Sequence, residues 1–159
     1  MIENFFEERK SIEQVEESTD LAPKFGNDGL IPVLTTDYES GEVLMQGYMN
    51  REALAETIKL GEAIYYSRSR KSLWHKGKKS GFKQIIKEIR IDDDQDSIWL
   101  RVSVKGGSSC HVGYRSCFYR SVPFGDSINK SKIILKFKED KKVFDPKEIY
   151  GNDPNPTKL

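Results

Sequence analysis

Two cysteines and two histidines are the only thiol or imidazole ligands in 159 residues, and the cysteines do not form a CxxC pair. The spacing lacks the specificity of a CxxC metal motif, and two cysteines in a cytosolic chain point to uses other than a structural disulfide. A chain of this length buries roughly 68 to 70% of its unfolded surface, enough for a core without cross-links. No apolar run approaches the ~18 residues of a membrane span, so a transmembrane helix is excluded. The opening segment, MIENFFEERKSIEQVEES, lacks a basic leader and a continuous hydrophobic stretch. No signal peptide is expected, and the cytoplasm is the expected compartment. There the cysteines are expected as thiols, metal ligands or catalytic groups. Net charge is nearly absent too: 26 Lys+Arg against 25 Asp+Glu gives +1, which argues against general nucleic-acid binding. Repeats and low-complexity blocks are missing, and the length suits one domain of ordinary size.

The charge that is present is segregated. Residues 67–81, SRSRKSLWHKGKKSG, carry Arg68, Arg70, Lys71, Lys76, Lys78 and Lys79 with no acid, whereas residues 91–97, IDDDQDS, carry four carboxylates and no base. Hydrophobic patterning around them predicts an α+β fold, mostly β, a compact mixed sheet with one or two helices. Ile2, Phe5, Phe6 and Ile12 predict an amphipathic helix over residues 2–17. Strands are expected over 30–36 and 42–49, joined by a turn at Glu39-Ser40-Gly41. Asn50 can cap a helix running to Leu60, with Gly61 at its left-handed end. Further strands are expected over 63–67, 83–91 and 98–104, which makes the acidic run an inter-strand loop. Beyond them, residues 110–122 read as short and β-like, 133–138 and 143–144 as a last hairpin, and 151–159 as a frayed tail.

Three constellations can carry chemistry. Asp92, Asp93, Asp94 and Asp96 form an oxygen-rich cluster suited to a hard divalent cation such as Mg²⁺, or else a solvated acidic turn. On extended backbone Asp92, Asp94 and Asp96 project to one side and Asp93 to the other. An EF-hand is excluded, because Ser97 and Ser103 stand where its glycine and terminal glutamate belong. Cys110 and Cys117 enclose six residues, compatible with a shared metal or with two packed thiols. His111, next to Cys110, suits proton transfer better than joint ligation. The basic stretch around Trp74 offers anion contacts and a stacking surface for a phosphate-bearing nucleotide. The same features would serve an RNA-binding module, or a plain solvated loop. Gly77-Lys78-Lys79-Ser80 is not a P-loop, since Lys79 stands where Ser or Thr is required.

From Gly29 to Tyr119 these pieces fall in a recognisable order: GLIPVLTTDYESGEVLMQGYMN, YYSRSRKSLWHKGKKSG, DDDQD and CHVGYRSCFY. Together they resemble the phosphoribosyl-AMP cyclohydrolases of histidine biosynthesis. The resemblance implies an intertwined homodimer with active sites shared between subunits. It also implies a nucleotide substrate whose purine ring is opened between nitrogen 1 and carbon 6; near-zero net charge and the Asp loop argue against a nucleic-acid partner, and the want of a long apolar run against a membrane one. Zinc and magnesium are the implied cofactors. Asp92, Asp94 and Asp96 match the family's magnesium carboxylates, Cys110 and Cys117 two of its zinc cysteines, and His111 its proton-transfer histidine. Arg68, Arg70, Trp74, Lys76 and Ser80 lie on its substrate-facing stretch. One position departs from the pattern. The family's third zinc cysteine, supplied by the other subunit, is here Asp93, whose carboxylate carries the same charge and ligates zinc at about 2.0 to 2.2 Å. A paralogue acting on a related purine or amidine ring is the alternative reading. The resemblance divides the chain into a helical extension (1–28), a core domain (29–120) and a C-terminal extension with its tail (121–159).

Overall fold

The computed structural model describes residues 4–125 and 132–159. Ile2 of the expected first helix and residues 126–131 of the expected C-terminal extension lie outside them. The fold is α+β and mostly sheet. Elements run α1 (Ile12–Glu17), β1 (Ile31–Asp37), β2 (Val43–Met49), α2 (Arg51–Leu60), β3 (Ile64–Ser67), β4 (Ser72–His75), β5 (Gln84–Ile91), β6 (Ile98–Val104), β7 (Arg120–Ser121), β8 (Lys136–Phe137) and α3 (Pro146–Tyr150).

A four-stranded sheet in the order β2-β1-β6-β5 is the frame. Neighbours are antiparallel except β1 and β6, whose parallel pairing needs a crossover. The chain supplies it through α2 and the β3–β4 hairpin. Strict alternation aims Ile31 and Val33 of β1, and Ile98, Leu100 and Val102 of β6, at one face. There they meet Leu44, Met45, Met49, Leu54 and Tyr65 in a single core. Asn50 caps α2 by accepting the Ala53 amide at 2.8 Å, and Gly61 ends it at φ +69, as the sequence indicates.

Differences from the sequence reading arise where tertiary contacts override local pattern. The first helix is six residues long and leaves Ile12 exposed. Phe6 precedes that helix on irregular backbone and enters the core, its ring 6.2 Å from Phe25. Residues 110–119 form turns, not strand. The last hairpin is absent among the described residues, because Lys136–Phe137 pairs with Arg120–Ser121 and the Val143 amide bonds to the Gly113 carbonyl. A strand that the sequence reading left inside the basic stretch, β4, pairs with β3 from Ser67↔Ser72 to Ile64↔His75.

A buried polar network runs through the core toward the chemistry. The Tyr65 hydroxyl donates to Gln84 Oε1 at 2.6 Å and lies 2.7 Å from Thr35 Oγ1, and Gln84 Nε2 donates to Ser109 Oγ at 3.1 Å. Ser109 precedes Cys110, so the network fixes the backbone that carries the first thiol. Tyr65→Phe leaves the Gln84 oxygen unsatisfied, at about 1 to 3 kcal/mol. The expected melting temperature falls by about 2 to 12 °C; an unchanged thermal melt would show that the network adds nothing to stability.

Candidate active site

The β3–β4 hairpin turns the basic stretch into one wall of a cavity of about 690 Å³. Trp74 stands on that wall with its ring 5.6 Å from the buried Tyr65 ring, and Arg70 and Lys76 approach its π face at 5.7 and 4.8 Å. Directly after β4 the chain must pass close to residues 82–83. Gly77 does this at φ +84, and a Cβ there would lie 2.2 Å from the Lys83 nitrogen. Lys76 is thereby driven inward. Its ammonium is buried and donates to the Ser109 carbonyl at 2.7 Å, with burial lowering its pKa and the two cysteines raising it.

Cys110 and Cys117 are neighbours, and the Cys117 thiol donates to the Ser109 carbonyl at 3.8 Å. Two thiols this near do not ionise independently, so their affinities split. The Cys117 thiol draws the Cys110 thiol down to about 6, helped by the amides of Val112, Tyr114 and Gly113, while Cys117 is pushed up. Cys110 is buried and Cys117 exposed. A thiolate-prone pair beside a buried ammonium is a donor set that fits zinc.

His111 lines the same cavity, and its Nε2 is buried without a hydrogen-bond partner. Burial and the Lys76 charge lower its pKa, against a contact with Asn155 that raises it. The ring is therefore neutral near pH 7 and able to accept a proton.

The acidic run joins β5 to β6. Asp92 Oδ1 accepts the amides of Asp96 and Ser97 at 2.9 and 3.1 Å, which curls the loop until the carboxylates of Asp92, Asp94 and Asp96 lie within 4.8 Å of one another. Crowding by Asp92 first, then burial and Asp94, pushes Asp96 up to about 6. None of the ion pairs among the described residues offsets these three. Three hard oxygens in that state fit a magnesium ion.

The structure thus gathers Arg70, Trp74, Lys76, Ser80 and His111 around one cavity, with the cysteines adjoining Lys76. Arg68 stands apart, its guanidinium 4.2 Å from the Tyr48 ring centroid. Asp93 is exposed. Among the described residues, the only group of three such ligand atoms within 4.8 Å is that of Asp92, Asp94 and Asp96, so none of those residues sets a third ligand beside the two cysteines. Sequence reasoning missed the opposite wall. Lys147 and Tyr150 of α3, then Asp153 to Pro156, line the cavity, and Asp153 pairs with Lys79. Asp145 followed by Pro146 was a legible helix start, with the Asp145 side chain accepting the Lys147 amide at 3.0 Å. Nothing local ties it to residues 72–80.

The family model for phosphoribosyl-AMP cyclohydrolase matches residues 45–119, the span holding the basic stretch, the acidic loop and both cysteines. The chain is 48% identical over 141 residues to the phosphoribosyl-AMP cyclohydrolase of Rhodopseudomonas palustris strain HaA2, covering 89% of this chain and 93% of that one. Against the enzyme of that name from Rhizobium etli it is 48% identical over 138 residues, covering 86% and 89%. For that of Desulforapulum autotrophicum the identity is 50% over 122 residues, covering 77% and 91%. With near-full-length similarity added to the cavity, the thiol pair and the acidic loop, the chain belongs to the phosphoribosyl-AMP cyclohydrolase family.

Proposed function

We propose that this chain hydrolyses phosphoribosyl-AMP, opening its purine ring between nitrogen 1 and carbon 6 in histidine biosynthesis. The observation that carries the reading is the unpartnered, buried Nε2 of His111 in a cavity walled by Trp74 and basic side chains, with two coupled thiols alongside. A volume of about 690 Å³ falls within the usual range of small-molecule sites. Trp74 supplies a face for the purine, backed by Tyr65. Arg70, Lys78, Lys79 and Lys147 supply charge for phosphate oxygens. His111 takes a proton at Nε2 as water adds to the amidine carbon and returns it to the departing ring nitrogen. Lys76 keeps negative charge on the sulfurs favourable. Cys110 and Cys117 would hold zinc and Asp92, Asp94 and Asp96 magnesium, the one lowering the pKa of water to about 7 and the other offsetting anionic charge.

A cross-subunit site is part of the proposal, and β6 supplies its support. The acidic loop precedes Ile98 and the cysteines follow Val104, seven strand residues apart, or about 20 Å at the usual rise. Metal–ligand bonds are near 2 Å, so one chain does not bring both ends to one ring. In a symmetric homodimer the partner's loop would fill that role, with its Asp93 as the third zinc ligand.

The test is a spectrophotometric assay of purified protein on phosphoribosyl-AMP, paired with metal analysis. Zinc near one per subunit and turnover are expected; stoichiometric metal without turnover would overturn the reading. His111→Ala is expected to keep zinc and lower kcat by about 10² to 10⁴. Near-normal kcat would return His111 to a packing role.

A further inference from the structure

The acidic loop is held from outside by the N-terminal segment, at a residue between two of its carboxylates. Gln95 is 4% exposed and sits at φ +58, a left-handed conformation that costs a side chain other than Gly, Asn or Asp. Its hydrogen bonds offset that cost. Oε1 accepts the Ala22 amide at 2.8 Å, and Nε2 donates to the carbonyls of Val15 at 2.9 Å and Asp20 at 3.1 Å. Its own carbonyl accepts the Lys24 amide at 2.7 Å. A second tie comes from Arg9, whose guanidinium donates to the carbonyls of Ala22 at 2.6 Å and Asp94 at 2.9 Å.

The choice of partners is informative. Arg9 takes the backbone oxygen of Asp94, and Gln95 takes only backbone groups of the N-terminal segment, so neither consumes a carboxylate of Asp92, Asp94 or Asp96. The segment is itself anchored: Phe6 is in the core, and Arg51 lies over the rings of Phe6 and Phe25 at 5.2 and 5.4 Å. A path therefore runs from the core to a loop whose three carboxylates crowd within 4.8 Å of one another and, apart from the Asp96 and Ser97 amides that Asp92 accepts, are not used by the ties that hold it. Such a loop, unheld, would spread.

We propose that Gln95, with Arg9, is a positioning residue that uses residues 9–24 as a clamp to preorganise the acidic loop for a divalent cation. The inference rests on the magnesium reading given above and deepens it. Outer partners of ligating groups typically contribute 10- to 100-fold to metal affinity.

The experiment is calorimetric titration of zinc-loaded, full-length protein with Mg²⁺. Gln95→Gly is the chosen variant because glycine accepts φ +58 without strain, so the substitution removes the side-chain ties without adding backbone strain of its own. Its Mg²⁺ dissociation constant is expected to rise at least about tenfold with zinc content unchanged. Arg9→Ala, at an exposed tie, is expected to raise it several-fold and serves equally if Gln95→Gly does not fold. If wild type binds Mg²⁺, Asp94→Asn loses it, and Gln95→Gly and Arg9→Ala bind as wild type does, the clamp is overturned and the magnesium site stands. If wild type binds no Mg²⁺, the magnesium reading fails and takes the clamp with it.

Discussion

Cys110→Ser is expected to reduce turnover to background and to strip most of the zinc, although the side chain loses only the difference between sulfur and oxygen. Cys110 is the sulfur drawn down to about 6, by the neighbouring Cys117 thiol first and by the amides of Val112, Tyr114 and Gly113. It is the member of the pair that ionises first. A serine hydroxyl in the same place stays protonated at any working pH, so neither the anion nor the soft donor survives. Cys110 is also buried, which leaves little room for an alternative ligand to replace it. Metal analysis and the phosphoribosyl-AMP assay on the same preparation read both losses together. Retained zinc with lost turnover would move Cys110 out of the ligand set, and retention of both would make the pair a packing feature. Thermal melting distinguishes these from misfolding, because the Tyr65–Gln84–Ser109 network that supports residue 110 is untouched by the substitution.

How far the sequence reaches differs along the chain, and the reason is the range of the interactions. Helix α2 was legible because both its signals, Asn50 and Gly61, are local to the backbone they terminate. Strand β6 was legible because its alternation reports one buried face. In the candidate site, Asp92, Asp94 and Asp96 do come together, but by a turn with Gln95 at φ +58 and not by alternation on an extended backbone as the sequence suggests. Residues 110–119 were misread as strand because Val112, Tyr114 and Phe118 mimic alternation. Their turns are fixed by distant partners instead: the Cys117 amide bonds to the Leu44 carbonyl, and Glu139 accepts the amides of Arg115 and Ser116. The wall made by Lys147 to Pro156 and the tie from Gln95 to Val15 are of the same kind. Each joins segments more than 60 residues apart in sequence, and no local signal, not even the Asp145 cap that starts α3, announces the partner. The resemblance to a family carried Arg68 into the substrate-facing set by its position on the motif, whereas the structure seats it on Tyr48.

A dimer assembled from one Asp94→Asn chain and one Cys110→Ser chain is expected to be active, although each parent homodimer is not. The two ends of β6 explain why. If one chain's acidic loop served its own cysteines, every subunit of the mixed dimer would carry one lesion in its only site, and activity would stay at background. If the loop of one chain instead completes the cavity of the other, the lesions segregate. One site collects both substitutions, and the second is built from an intact acidic loop and an intact cysteine pair. Two-fold symmetry makes the sites equivalent, so purified mixed dimer should show about half the turnover of wild type per dimer. Two different affinity tags, used in succession, isolate that species from the parents. Repeating the experiment with Asp93→Ala in place of Asp94→Asn asks the same of the position where this chain departs from the family's cysteine. Recovery with both pairs would place Asp93 and Asp94 across the interface from Cys110. Folded mixed dimer that stays inactive with both would mean that each chain completes its own site, against the roughly 20 Å span of the strand that separates the two ligand sets.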